Sequence, residues 1–130
     1  MEPDFLGLDE LVAIHRDQVE RYGGTPGVRD FRLLQSAASM PAATFGDQYL
    51  HSDLWEMAAA YLFHITQNHP FIDGNKRVGA VAADVFLALN GLRLSASEAD
   101  YEELVWSVAR GEASKSTIAE FFRGNTTPFD

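Results

Sequence analysis

Apolar side chains recur three and four residues apart along most of the chain, the spacing that places them on one face of a helix. The clearest run, LDELVAIHRDQVERY, ends at Gly23 and Gly24. Glycine directly after such a run is typical of a helix C-terminus. The pattern predicts six helices, at 8–22, 31–40, 54–69, 75–89, 98–110 and 117–122.

Capping residues mark where four of these helices begin. A Ser, Thr, Asp or Asn side chain before a helix accepts a hydrogen bond from a free N–H group of the first turn. The expected N-caps are Asp30, Asp53, Ser97 and Ser116. Pro41 stops the second helix. Pro70 ends the third near His69, because proline disfavours helical backbone in the residue before it.

The segments between the helices are predicted to be short and mostly irregular. PAATFGDQYLHS is typical of a surface loop, with Phe45, Tyr49 and Leu50 as apolar anchors. LRLS, after the stop at Asn90-Gly91, is predicted to be a short extended piece. The tail NTTPFD is predicted to fray, as chain ends usually do.

Length and composition fit one folded domain. The chain has 130 residues, and 46% of them are hydrophobic, enough for a packed core and too many for a disordered chain. The sequence shows no repeat, linker or low-complexity segment. We therefore predict an all-α fold, a single domain over 1–130 built as a bundle of about six helices with its core at about 8–122.

Charge and cysteine content exclude several classes of function. The formal net charge is −9, so a general affinity for DNA or anionic membranes is not expected. The chain lacks a run of about 18 apolar residues that could span a bilayer. MEPDFLGLDE lacks the blocks of a signal peptide, and without cysteine there are no disulfides or zinc–cysteine sites. We expect a cytoplasmic protein with no direct DNA binding and no membrane association.

The segment HPFIDGNKR, at 69–77, places polar chemistry between two apolar helices. A helix N-terminus presents free N–H groups and a partial positive charge, so anions bind there. The candidate phosphate-binding residues are Gly74, Asn75, Lys76 and Arg77. Asp73 could hold Mg²⁺ against phosphate oxygens. Histidine is the side chain whose ordinary pKa lies nearest neutral pH, and His69 could accept a hydroxyl proton. This set suits phosphoryl or nucleotidyl transfer.

Each of these residues also has a plain structural interpretation. Asp73 could be an ordinary N-cap, and His69 could bind the last carbonyls of the preceding helix. Lys76 and Arg77 could be solvated surface charges. Phe71 favours the functional interpretation, because a large apolar side chain in a polar loop indicates an anchor that fixes the loop on the core.

The loop resembles the signature of the Fic/Doc family, which reads roughly H-x-F-x-[D/E]-G-N-G-R-x-x-R. The matching residues are His69, Phe71, Asp73, Gly74, Asn75 and Arg77. Lys76 stands where most Fic members have the second glycine, and Ala80 stands where they have a second arginine. Both departures are those of the death-on-curing (Doc) branch. RYGGTPGVRD, SAASMPAATF and FLALNG resemble that branch too, so the likeness covers about 8–122.

The resemblance implies a role for each matched residue. His69 would be the base that activates a target hydroxyl, and Asp73 would hold Mg²⁺. Gly74 to Arg77 would bind the phosphates of ATP, and Phe71 would be the structural anchor. Typical Fic members transfer AMP from ATP to a hydroxyl side chain of a protein. The death-on-curing branch instead phosphorylates a threonine of elongation factor Tu and arrests translation, as the toxin of a pair whose antitoxin is of the Phd type.

Lys76 favours the kinase activity. Its side chain fills the space that glycine would leave for the α-phosphate, so the nucleotide could bind with its γ-phosphate facing the target hydroxyl. A Fic-type AMP or nucleotide transferase and an inactive binding module are the alternatives. Self-inhibited Fic proteins carry a helix with [S/T]-x-x-x-E-[G/N]. Ser116 to Glu120 matches its first part but Phe121 follows, so we predict inhibition by a separate chain.

Other conspicuous side chains are predicted to be structural. The three histidines outside the loop lack the spacing of a helical zinc pair. Tyr22 could position the end of the first helix near the loop or merely cap and pack that helix, and we favour the structural role. Trp106 is expected in the core or at a partner contact. The loop at 41–52 could grip a target protein or be a plain connector.

Overall fold

The computed structural model describes residues 2–129, and helices make up most of them. The helices are α1 Leu8–Tyr22, α2 Phe31–Ser39, α3 Leu54–Asn68, α4 Asn75–Leu89, α5 Glu98–Ala109 and α6 Lys115–Gly124, with a 3₁₀ turn at Met40–Ala42. The strands are β1 Thr44–Phe45, β2 Gln48–Tyr49, β3 Leu92–Leu94 and β4 Thr126–Pro128. The prediction of an all-α fold with about six helices is confirmed. Within the described residues, no helix has the length and apolarity needed to cross a bilayer.

Helix α3 forms the centre of the core. Its buried side chains are Met57, Ala58, Ala59, Ala60, Tyr61, Leu62, Ile65 and Thr66. They point in all directions around the helix, so α3 needs partners on several sides. Its most extensive contacts are with α4 and α6. The contact with α4 fixes the C-terminus of α3 and the N-terminus of α4 relative to each other.

Gly79 marks a close approach between α3 and α4. A Cβ atom at this position would lie 2.8 Å from Thr66 Oγ1 and 3.2 Å from the carbonyl oxygen of Leu62. We expect Gly79→Ala to lower the free energy of unfolding by about 1–3 kcal/mol in urea titrations, because overpacking outweighs the helix propensity of alanine. Gly124→Ala, with no atom near the added Cβ, should be neutral or stabilising. Equal effects of the two changes would contradict this packing.

Three of the four predicted N-caps are confirmed, and one is wrong. Asp30, Asp53 and Ser97 each accept a hydrogen bond from the N–H group three residues on. The sixth helix is capped by Ser114, not Ser116: Ser114 accepts from the N–H group of Thr117. Ala113 and Ile118, which flank this cap at the positions of a hydrophobic staple, are both buried. Starting the helix at Lys115 buries this pair.

Two predictions for the connections are also wrong. The loop at 41–52 contains an antiparallel hairpin of β1 and β2, and its Phe45 and Leu50 are 82% and 56% exposed, so neither is an anchor. Tyr49 does pack, with its ring 5.7 Å from that of Phe5. The tail does not fray as far as Phe129, because β4 pairs with β3 in the extended segment predicted at LRLS; Asp130 lies outside the described residues. Pairing gives the tail backbone hydrogen-bond partners that the sequence pattern does not reveal.

A small cluster of His51, His64 and Lys115 joins the loop at 41–52 to α3 and α6. The ammonium group of Lys115 lies 3.2 Å from His51 Nε2 and 3.1 Å from His64 Nε2. Burial, and then the charge of Lys115, lower the pKa of both histidines, that of His64 to about 4. Both imidazoles are therefore neutral in the folded protein at neutral pH.

Because of this cluster, we expect the stability of the fold to fall in acid. As pH falls from about 6.5 to about 4, the unfolded chain binds protons that the folded His64 does not, so stability present above pH 6.5 is lost across this window. We expect a loss on the order of 1–2 kcal/mol from His64, since its partial exposure screens the effect. Urea unfolding at several pH values should show a shallower pH dependence in His64→Gln. An unchanged dependence would contradict the assignment.

Candidate active site

A cavity of about 920 Å³ opens between the end of α1, the loop after α3, the first turns of α4, and α5. Six predicted site residues line it: His69, Asp73, Gly74, Asn75, Lys76 and Arg77. All six lie within nine consecutive residues, 69–77, around the start of α4. The geometry of the site therefore depends on what holds each of these groups in place.

His69 ends α3 in the left-handed conformation, with φ 49° and ψ 54°. The last carbonyls of the helix are not bound by its imidazole. Arg29 binds them instead, donating from Nε to the His69 carbonyl at 2.6 Å and from its terminal nitrogen to the Asn68 carbonyl at 2.9 Å. His69 is exposed to solvent, and no hydrogen bond from residues 2–129 occupies its ring. The imidazole is thus free to accept a proton.

The connection between α1 and α2, residues 23–30, lies along the loop and fixes its main chain. The N–H group of Ile72 donates to the Gly27 carbonyl at 3.0 Å. The Pro70 carbonyl accepts from the N–H groups of Arg29 at 2.8 Å and Asp30 at 3.1 Å. This strand-like pairing gives the loop between two helices a rigid partner along its length.

Phe71 holds the loop from below. Its side chain is fully buried, and its ring stacks on that of His15 at 4.1 Å with an interplanar angle of 5°. His15 Nε2 lies 3.0 Å from the Asp73 carbonyl oxygen, so this nitrogen donates to it. The Asn75 amide closes the loop by pairing with both the N–H and the carbonyl of Phe71, at 2.9 and 3.0 Å. What Asn75 offers a phosphate is therefore its main-chain N–H group.

The Asp73 carboxylate is oriented towards the end of α1. Its Oδ1 accepts from the Gly74 N–H at 2.9 Å, and its Oδ2 accepts from the Thr25 N–H at 3.2 Å. It does not cap α4, whose N-cap is Gly74. A Cβ atom on Gly24 would lie 3.0 Å from Oδ2, so glycine leaves room for the carboxylate there.

This carboxylate fits the requirements of Mg²⁺. It is exposed, and each oxygen has acceptor capacity left after one N–H bond. Mg²⁺ commonly binds one or two carboxylates together with substrate phosphates and water. Among residues 2–129, no group of three or more His, Asp or Glu side chains converges on one point, so a cation would need oxygens from a phosphate ligand as well.

The first turn of α4 and its two cations form what we call the phosphate cradle: the N–H groups of Asn75, Lys76 and Arg77 and the side chains of the last two. No side chain from residues 2–129 caps this helix end, and Gly74 enters it with φ 79°. The N–H groups are therefore available to an anion. Lys76 Nζ lies 4.0 Å from the ring centroid of Trp106, and the Arg77 guanidinium lies 4.8 Å from that of Tyr22.

The site includes residues that were not predicted to be part of it. Tyr22 and Trp106 line the cavity and are 65% and 44% exposed, so neither is a core residue. Their helical spacing resembles that of packing residues, and only the fold brings them to the cradle. His15 and Arg29 bind carbonyl groups of the loop although they lie 58 and 40 positions from their partners in the sequence. No local pattern could have revealed them.

Helix α6 does not reach into this cavity. Its Glu120 carboxylate pairs with Arg123 and does not line the cavity. Phe122 is buried and Phe121 packs against Tyr101, with ring centroids 6.3 Å apart. Within the described residues, no glutamate of α6 lines the cavity that holds the cradle.

Comparison with known proteins gives two kinds of match. The family model described as the Fic/DOC family matches residues 5–87. The Toxin Doc of Mycolicibacterium smegmatis (strain ATCC 700084 / mc(2)155) is 38% identical over 105 residues, covering 79% of this chain and 81% of that protein. The Protein kinase doc of Escherichia phage P1 is 33% identical over 118 residues, covering 91% of this chain and 92% of that protein.

Proposed function

The chain belongs to the Fic/DOC family, and on that premise we propose that it transfers the γ-phosphate of ATP to a hydroxyl side chain of a target protein. The observation that carries the proposal is the convergence of a free imidazole, an oriented carboxylate and an uncapped helix N-terminus in one cavity. These are a base, a metal ligand and a phosphate site, the parts that phosphoryl transfer requires.

The residues divide the reaction between them. The phosphates of ATP bind the phosphate cradle, where N–H groups and two cations offset their charge. Mg²⁺ held by Asp73 would neutralise charge on the β- and γ-phosphate oxygens. His69 accepts the proton of the target hydroxyl as its oxygen bonds to the γ-phosphorus. The bond from that phosphorus to the β–γ bridging oxygen breaks, and ADP leaves with its charge on the cradle.

Lys76 supports γ-phosphoryl transfer over AMP transfer. A glycine here would let a phosphate approach the backbone, whereas the lysine side chain occupies space and brings an ammonium group. That ammonium lies on the α5 side of the cavity, 4.0 Å from the Trp106 ring centroid. AMP transfer, with the α-phosphate facing His69, is the alternative that the experiments below separate.

We assign the protein the role of a toxin. One relative is called a toxin and another a protein kinase. The proposed target is a threonine of elongation factor Tu, whose modification would arrest translation. An antitoxin of the Phd type would neutralise the protein, and this role suits a cavity that helix α6 leaves open.

A cell-free translation assay tests this role. Purified protein with ATP and Mg²⁺ should stop synthesis in a bacterial extract, and untreated elongation factor Tu added after removal of that protein should restore it. His69→Asn protein should have no effect. Undiminished synthesis with the unchanged protein would refute the toxin role, and arrest that elongation factor Tu does not relieve would refute the target.

A further inference from the structure

Two exposed aromatic rings flank the phosphate cradle. Trp106, 44% exposed, lies against the ammonium of Lys76, and Tyr22, 65% exposed, lies against the guanidinium of Arg77. Both rings line the cavity. Exposed rings in a cavity offer a flat apolar surface to a ligand, and only a nucleobase in ATP matches such a surface.

The surroundings of the two rings differ. Trp106 belongs to a wall of α4 and α5 with apolar side chains, among them Ala80, Val81 and Val105. Tyr101 stiffens this wall, since its hydroxyl donates to the Ala80 carbonyl at 2.6 Å. Tyr22 is followed by Gly23 and Gly24, which offer main chain only, and Ile72 is the single aliphatic side chain that lines the cavity near the α1–α2 connection, within the described residues. A base would bury more apolar surface beside Trp106.

Charge also separates the two ends of the cavity. Asp84, Glu98 and Glu102 line the α4–α5 side, and all three are exposed. Phosphates placed there would meet like charge, whereas an uncharged base would not. The cavity, at about 920 Å³, has more room than a triphosphate on the cradle requires.

We propose that Trp106 is the stacking surface for the nucleobase, an inference that rests on the proposed function. The ammonium of Lys76 contacts the Trp106 ring of α5, and the Asp73 carboxylate accepts a hydrogen bond from Thr25 of the α1–α2 connection. A base on Trp106 therefore places the α-phosphate near Lys76 and the γ-phosphate towards Asp73 and His69. This order along the cavity is the one that γ-phosphoryl transfer needs.

Tryptophan fluorescence tests the stacking directly, because the chain has two tryptophans and either one can be replaced to leave the other as reporter. Trp55→Phe leaves Trp106 as reporter, and Trp106→Phe leaves Trp55, whose indole N–H donates to Thr126 Oγ1 at 2.8 Å. The β,γ-imido analogue of ATP with Mg²⁺ should quench Trp106 more than inorganic triphosphate does, and should leave Trp55 unchanged. Equal quenching by both ligands would overturn the proposal.

Affinities give the second test. Calorimetry should show that Trp106→Ala weakens binding of the ATP analogue about 5- to 100-fold and leaves binding of triphosphate nearly unchanged. Tyr22→Ala, the matched control, should leave the ratio of the two affinities unchanged. The stacking site would be overturned if Trp106→Ala left the ratio of analogue affinity to triphosphate affinity unchanged, or if Tyr22→Ala lowered that ratio equally. Either result would leave the proposed kinase activity intact. Failure of the unchanged protein to bind the analogue would overturn the proposed function as well.

Discussion

His69→Ala is expected to lower phosphoryl transfer about 10²- to 10⁴-fold, the contribution typical of a general base. The imidazole is the one proton acceptor that the loop presents free of hydrogen bonds beside the cradle, within the described part of the chain. Binding of ATP should change little, because the phosphates bind α4 and not His69. The measurement is the rate of label transfer from ATP at saturating nucleotide.

A paired variant separates this loss from damage to the fold. His69 has φ 49°, a conformation that costs alanine about 1–2 kcal/mol but that asparagine adopts more readily. His69→Asn should thus match the unfolding midpoint of the unchanged protein more closely than His69→Ala, and be equally inactive. Substantial transfer by either variant would show that another group takes the proton.

Phe71→Ala is expected to lower the free energy of unfolding by about 3–5 kcal/mol. Phe71 is fully buried and stacks on His15, so truncation leaves a cavity beneath the loop and removes the surface on which His15 is held. Because His15 binds the Asp73 carbonyl, the loop should also lose its fixed geometry. Urea unfolding at neutral pH measures the first effect, and transfer rates under folding conditions measure the second.

The chain offers a matched control for this change. Phe45 in the hairpin is 82% exposed, so Phe45→Ala removes the same atoms without opening a cavity. It should shift the free energy of unfolding by less than about 0.5 kcal/mol. Similar losses in the two variants would mean that burial of Phe71 does not stabilise the fold in the way the structure indicates.

The sequence predicted the helices well because their signals are local. Periodicity and caps lie within a few residues of each boundary, and the helix at 75–89 is found where expected. The errors fall where partners are distant in sequence. β4 is ordered because it pairs with β3, more than 30 residues earlier in the chain. The N-cap of α6 is Ser114 and not Ser116, because the start of this helix depends on which side chains are buried.

The candidate site shows the same division. The loop is one run of consecutive residues, so six of its seven cavity-lining residues, all but Ile72, could be named before the fold was known. The residues that hold the loop could not be named, because Arg29 and His15 are distant from it in sequence and bind its carbonyl groups only in the folded chain. The sequence also could not show that the Asn75 side chain serves Phe71. Such side chains resemble ordinary surface or packing residues until their contacts are known.

The most direct test of γ-phosphoryl transfer uses ATP labelled at one of two positions. Purified protein is incubated with elongation factor Tu, Mg²⁺ and ATP carrying label on either the α- or the γ-phosphate, with His69→Asn as control. We predict that the factor acquires label from the γ position alone and that the control transfers none. Label from the α position would identify an AMP transferase and contradict the role given to Lys76.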